Sequence, residues 1–387
     1  MEICDYTRCT GCGMCTNICM NNAIKMVEGV HGFVFPEINS EKCVNCGLCT
    51  TRCPANNHNN ADGNTMNKIY AAWSRKKCIR EQSSSGGIFS LLAEAIITEG
   101  GLVAGVKWNS NFCPEHRLTD TSEVLVKFRG SKYVQSNTGT VYFDVKEALN
   151  MGSQVLFSGT PCQIAALKSY LGKEYSNLFT IDLVCHGVPS YECFQKYLNE
   201  KSCGKQIENV QLRYKSPYWD YCSVRIDYKD GTYYQELTVD DPYFTLFNIG
   251  YSLRESCHNC PHTSSHREGD ITLADFWSYA PSKFKMCDYN KGTSLVAINT
   301  DKGEYLFQKI QEYLIFEEET YEMALKSNRS FTEPYTISAE KLDAFWKDYE
   351  KGMKIIDLCK KYVSNPFKLP NLLFLRRLKR KYNWVIK

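Results

Sequence analysis

The feature that most constrains this chain is a cysteine pattern written twice in its first 55 residues. The first copy is Cys9-x2-Cys12-x2-Cys15-x3-Cys19 and the second is Cys43-x2-Cys46-x2-Cys49-x3-Cys53-Pro54. Every cysteine of the first copy recurs 34 positions later (43 − 9), so the two are an internal repeat. An iron–sulfur cubane needs four thiolates around a compact cluster. Three closely spaced cysteines wrap a loop over one cluster, and the fourth of each run reaches the other cluster. The pattern therefore assigns Cys9, Cys12, Cys15 and Cys53 to one [4Fe-4S] cluster, and Cys43, Cys46, Cys49 and Cys19 to a second. Zinc sites take Cys-x2-Cys pairs separated by a longer loop, so this triple-plus-one spacing argues against paired zinc. Gly11, Gly13 and Gly47 permit tight turns that leave amides free to face sulfide. Cys4, ahead of the first run, reads as a buried or free thiol.

Cysteine is abundant throughout, at 20 of 387 residues. A secreted disulfide protein would account for that number, but the start Met1-Glu2-Ile3-Cys4-Asp5-Tyr6 has no signal-peptide character. No stretch approaches the ~18 apolar residues of a membrane span. The expected location is cytoplasmic, where cysteines serve metal or redox chemistry. Forty-six basic and 43 acidic side chains leave a net charge of +3, and no nucleic-acid partner is expected. Charge is uneven only at the end, where residues 367–387 hold seven Lys or Arg and no acid. There Phe374, Leu378 and Tyr382 recur at four-residue steps. Two readings stand: a segment that docks on an anionic membrane or acidic partner, or a helix packed on the chain's own acidic body.

Residues 56–68 are rich in Asn and lack apolar periodicity, and read as a solvated linker. From 69 to 335 the pattern is mixed α/β. Ile69–Trp73, Leu102–Trp108, Gln154–Phe157 and Phe179–Val184 read as strands, and Ile88–Thr98 as a helix behind Ser85-Gly86-Gly87. Thr160 and Gln163 form a capping box around Pro161 at a helix start. Tyr221–Tyr228 and Thr232–Leu237 flank the hairpin signal Asp230-Gly231. Helices between the early strands favour crossovers and a partly parallel sheet. Residues 338–365 read as one helix with Leu342, Phe345, Trp346 and Tyr349 on a face. The expected fold is thus a ferredoxin-like module (1–55), an α/β domain (69–335) and a helical tail (336–387).

A sparser cysteine group follows: Cys162 after Gly159-Thr160-Pro161, Cys185 before His186-Gly187, and Cys257-His258-Asn259-Cys260. Two of these sit at strand–helix junctions, where open α/β sheets place sites. In the first turn of a helix, Cys162 is favoured as a thiolate. Each, taken singly, is equally readable as a small buried hydrophobe. His186 and Asp275 could move protons, or could be an ordinary loop histidine and a turn aspartate.

Residues 1–55 resemble a two-cluster bacterial-type ferredoxin, with Met20 where that family has Pro. The strings Gly130-Ser131-Lys132-Tyr133-Val134-Gln135-Ser136, Phe157-Ser158-Gly159-Thr160-Pro161-Cys162-Gln163, Asp182-Leu183-Val184-Cys185-His186-Gly187-Val188-Pro189-Ser190 and Asp270-Ile271-Thr272-Leu273-Ala274-Asp275-Phe276-Trp277 resemble the coenzyme F420 (deazaflavin) hydrogenase/dehydrogenase beta-subunit family. Ala274 stands where that family commonly has Gly. The resemblance implies FAD, with Ser85, Gly86, Gly87, Gly130, Ser131, Lys132, Tyr133 and Gln135 as candidate flavin-site residues. It also implies a third [4Fe-4S] cluster, with Cys162, Cys185, Cys257 and Cys260 as candidate ligands. Lys132 would neutralise a phosphate and Tyr133 would stack on an aromatic ring; a solvated Lys and a half-buried Tyr are the plain alternatives. The activity so implied is an iron–sulfur flavoprotein oxidoreductase. It would pass electrons between a ferredoxin or another redox subunit and a hydride acceptor or small substrate. The alternative is a non-catalytic electron-transfer subunit or scaffold of a larger complex.

Overall fold

The computed structural model describes residues 2–57, 63–279 and 291–363. Its centre is an eight-stranded sheet. The strand order across it is Leu314–Glu319, Lys68–Ser74, Ser294–Ile298, Ile271–Asp275, Leu178–Leu183, Val155–Gly159, Leu102–Trp108 and Pro114–Thr119. The four strands from Ile271–Asp275 to Leu102–Trp108 run parallel, and the outer pairings are antiparallel. Parallel strands are covered on both faces, so they read as continuous apolar runs. Val155, Leu156 and Phe157 are such a run and are fully buried.

The helix Pro161–Leu171 leaves the sheet through the expected capping box, with Pro161 in its first turn. Gly87, at φ +89°, turns the chain into the helix Ile88–Thr98, whose ends coincide with the sequence pattern. A separate three-stranded antiparallel sheet contains the expected hairpin, in which Ser223–Tyr228 pairs with Tyr233–Leu237. At its turn Asp230 Oδ1 accepts from the Thr232 amide at 2.9 Å.

The first module is a two-stranded sheet, Ile24–Glu28 with Val34–Ile38, and two short helices, Met14–Ile18 and Leu48–Thr51. It shares its core with the larger domain: Met14, Cys15, Ile24, Cys49 and Cys53 lie in one apolar cluster with Tyr142, Phe157 and Ile164.

Two expectations need correcting. The Asn-rich stretch is not solvated throughout, because Asn64–Thr65 pairs antiparallel with His266–Arg267. The single helix expected over 338–365 is two helices, Ala339–Glu350 and Ile355–Tyr362, parted at Gly352 with φ +85°. That break lets Phe345, Trp346, Tyr349, Ile355 and Leu358 all reach a core that contains Phe194 and Tyr243. The basic segment after Pro370 lies outside the described residues. No helix among the described residues is long and apolar enough to cross a membrane.

Candidate functional site

The doubled run builds two cavities. One is lined by Cys9, Cys12, Cys15 and Cys53, the other by Cys19, Cys43, Cys46 and Cys49. The fourth cysteine of each run lines the other run's cavity. Gly11, Gly13 and Gly47 all take positive φ, between +64° and +75°, which turns the loops sharply enough to present three sulfurs each. Among the described residues no three His, Cys, Asp or Glu side chains converge tightly enough to grip a single ion. Thiols spread around a cavity suit a polynuclear cluster better, because iron and sulfide fill the space between them.

Backbone amides point at these sulfurs. The Ala23 amide lies 3.3 Å from Cys19 Sγ. The Gly11 amide donates to Cys9, the Met14 amide to Cys12, and those of Ala55 and Asn56 to Cys53. Cys4 joins the first cavity, where its thiol donates to Cys9 and Cys53. That contact is the largest influence lowering Cys9 to about 6 and Cys53 to about 7. Burial instead pushes Cys12 up to about 11 and raises Cys15 further.

The sparser cysteines are brought together. Burial is the main cause raising Cys162, Cys185, Cys257 and Cys260; neighbouring thiols add to it at the first three, while the His262 and Thr263 amides and Arg267 offset it at Cys260. Cys185 and Cys260 act on Cys162, and both act on Cys257. Thiols raised by burial are poorly placed to ionise alone, whereas a bound cationic metal core would reverse that balance. Amides again face the sulfurs: Gly187 to Cys185, Val188 to Cys257, and His262 and Thr263 to Cys260. The Thr160 hydroxyl is 3.1 Å from Cys162 Sγ.

Tyr142 stands between this group and the first cavity. Its hydroxyl donates to Cys12 O at 2.9 Å, and both Cys12 and Cys162 influence it electrostatically. Cys46 of the second cavity is exposed, Cys162, Cys185, Cys257 and Cys260 are half-buried, and Cys9, Cys15 and Cys53 of the first cavity are buried.

The segment 130–138 ties these groups to the Ser84–Gly87 turn. Its Ser131 amide donates to Ser84 Oγ at 2.7 Å. Its Ser136 Oγ accepts from Gln163 Nε2 at 2.9 Å, beside Cys162. Its Thr138 hydroxyl donates to Cys12 O at 3.1 Å.

The candidate flavin residues divide. Ser85 Oγ donates to Thr293 O at 2.8 Å, and Ser131 bonds Ser84 through both its amide and its hydroxyl. A side chain added at Gly130 would meet open space, and Gly87 begins a helix whose first amides have no side-chain cap. The others also have work within the protein. The Gly86 amide donates to Ser294 Oγ at 2.9 Å. Lys132 Nζ is not solvated; it donates to the carbonyls of Lys127, Phe128 and Arg129, and burial lowers its pKa to about 7. Tyr133 packs its ring on Phe244 and Phe247 and accepts from Arg213. Gln135 Nε2 donates to Thr10 O and Gly11 O, on the first cysteine loop. Asp275 is held by Arg213 at 2.8 Å and by Trp219 Nε1 at 3.1 Å. His186 lies against Tyr335, with Nε2 3.0 Å from Phe247 O. Met20, at the position where ferredoxins carry Pro, is exposed.

Sequence reasoning missed Arg213, Lys215 and Arg254. Lys215 Nζ donates to the carbonyls of Arg80, Ser85 and Lys291 and so pins the Ser84–Gly87 turn. No local pattern marks any of the three, since each acts on segments distant in sequence.

Comparison with protein families gives three matches along the chain. A 4Fe-4S dicluster domain matches residues 8–57. The N-terminal model of the coenzyme F420 hydrogenase/dehydrogenase beta subunit matches 69–141, and the C-terminal model of the same subunit matches 152–323. No curated protein matches. Among solved structures, a chain from the F420-reducing [NiFe] hydrogenase complex of Methanosarcina barkeri, studied by xenon derivatization, is similar at 18% identity. The match covers 79% of this chain and 94% of that one, with a TM-score of 0.47.

Proposed function

Because this chain belongs to the coenzyme F420 hydrogenase/dehydrogenase beta-subunit family and carries a 4Fe-4S dicluster domain ahead of it, we propose that it is a cytoplasmic iron–sulfur flavoprotein oxidoreductase. It would link a ferredoxin or another redox subunit to a hydride acceptor or small substrate. The observation that supports this reading is that the segment 130–138 bonds to the first cysteine loop, to Gln163 beside Cys162 and to Ser84 of the Ser84–Gly87 turn. Iron–sulfur clusters exchange single electrons and FAD exchanges one or two, which is the chemistry needed to join the two kinds of partner.

In this reading Cys19, Cys43, Cys46 and Cys49 hold the outer cluster, and Cys9, Cys12, Cys15 and Cys53 the inner one. Cys162, Cys185, Cys257 and Cys260 hold a third. Tyr142 and Thr138 fix the Cys12 loop against the larger domain by donating to one carbonyl. The amides aimed at the sulfurs stabilise thiolate charge without admitting water. Ser85, Gly87, Gly130 and Ser131 bind and orient the flavin, while Lys132, Tyr133 and Gln135 shape the wall behind it.

A second reading, a non-catalytic electron-transfer subunit, is favoured by the prior engagement of Gly86, Lys132, Tyr133 and Gln135. Flavin content decides between them. Protein prepared without oxygen and reconstituted with FAD should release about one FAD per chain on acid denaturation. Preparations that hold their iron but retain no flavin would leave only the second reading.

A further inference from the structure

Arg254 is a large, charged side chain at 1% exposure. Two other buried arginines each pair with a carboxylate, Arg213 with Asp275 and Arg267 with Asp182. Arg254 does not. Its Nε donates to Cys9 O at 2.6 Å, its Nη1 to Gln135 Oε1 at 3.0 Å and its Nη2 to Val34 O at 3.0 Å, all neutral oxygens. Its guanidinium lies over the Phe35 ring, 4.2 Å from the centroid. A buried cation without a counter-charge costs several kcal/mol, so a partner charge is expected nearby.

The surroundings supply it. The side chain embraces the first cysteine loop, and a side chain added at Gly11 would collide with both Arg254 and Gln135. Its main chain belongs to the third group: the Arg254 amide donates to Val188 O, and its carbonyl accepts from the Cys257 amide, both at 2.9 Å. One residue therefore touches two of the three thiol groups.

We propose that Arg254 is a positioning residue whose charge balances the inner cluster, raising its reduction potential and coupling it to the third group. The inference rests on the reading that Cys9, Cys12, Cys15 and Cys53 hold a cluster. Reduction adds one electron to an already anionic site, and a fixed cation in a low-dielectric setting favours that addition.

The test is a dithionite redox titration of the full chain, followed by electron paramagnetic resonance. Arg254→Gln should lower one cluster midpoint by a tenfold or larger shift in its reduction equilibrium, about 59 mV. Arg254→Lys keeps the charge and should recover most of that shift. Gln135→Glu pairs the guanidinium in place and should lower the same midpoint, which keeps the test open if Arg254→Gln fails to fold. Loaded variants whose midpoints all match the parent would overturn the inference. A parent chain without iron or cluster signals would instead overturn the cluster reading itself.

Discussion

Asp275→Asn tests the polar wall behind the segment 130–138. The carboxylate of Asp275 accepts from Arg213 at 2.8 Å and from Trp219 at 3.1 Å. The Arg213 side chain is 6% exposed and that of Asp275 is 14% exposed, so the pair is largely desolvated. Arg213 also reaches the Tyr133 hydroxyl and lies 4.9 Å from the Trp277 centroid. An Asn preserves shape and one acceptor but strands the guanidinium charge. Breaking a buried pair from one side costs about 3–5 kcal/mol. At roughly 2–4 °C per kcal/mol for a sizeable domain, thermal unfolding by far-UV circular dichroism should fall by at least about 6 °C. The double change Arg213→Met with Asp275→Leu should recover much of that loss, because it leaves no charge unpaired. An Asp275→Asn protein that melts within about 1 °C of the parent would mean that Arg213 is not stranded and finds water or another partner.

Three further outcomes are expected. Burial holds His116 neutral, lowering its pKa from 6.5 to about 4. Between those values the unfolded chain binds the extra proton, so stability falls as pH drops from 6.5 to 4, by about 3 kcal/mol in all. Urea unfolding of His116→Gln should lose that slope, and an unchanged slope would exclude His116 as its source. Cys43→Ala should lose about four irons, the content of one cubane, and with them most reduction of a one-electron dye. Its flavin should still bleach with a hydride donor in rapid-mixing absorbance, and equal loss of both half-reactions in folded, flavin-loaded protein would contradict the proposed order. Cys4→Ala should retain its full iron, because Cys9, Cys12, Cys15 and Cys53 already line that cavity; loss of a cluster's worth would make Cys4 a ligand.

The cysteine repeat was legible because a cubane fixes its ligands at short spacing, so chemistry appears as a local pattern. Thr160, Pro161 and Gln163 were legible for the same reason, since a capping box spans only one turn. The outer strands Pro114–Thr119 and Leu314–Glu319 were not. Their mixed burial leaves no continuous apolar run, and pairing across the sheet defines them. The tail's break at Gly352 was hidden because the apolar residues on both sides keep helical spacing. The third cysteine group was only half legible: its members come from three segments, and tertiary structure alone makes them neighbours. Lys132 and Gln135 stand in the expected loop, but their bonds run to the Lys127–Arg129 and Thr10–Gly11 carbonyls, which no spacing encodes.

In the function proposed, three groups of four thiols each hold an iron–sulfur cluster. Iron and acid-labile sulfide per chain, measured on protein purified without oxygen, test it most directly. About twelve of each are expected, falling to about eight in Cys162→Ala. About eight in the parent, unchanged in Cys162→Ala, would reduce the third group to buried thiols. Zinc in place of iron, with no sulfide, would contradict the claim at its root.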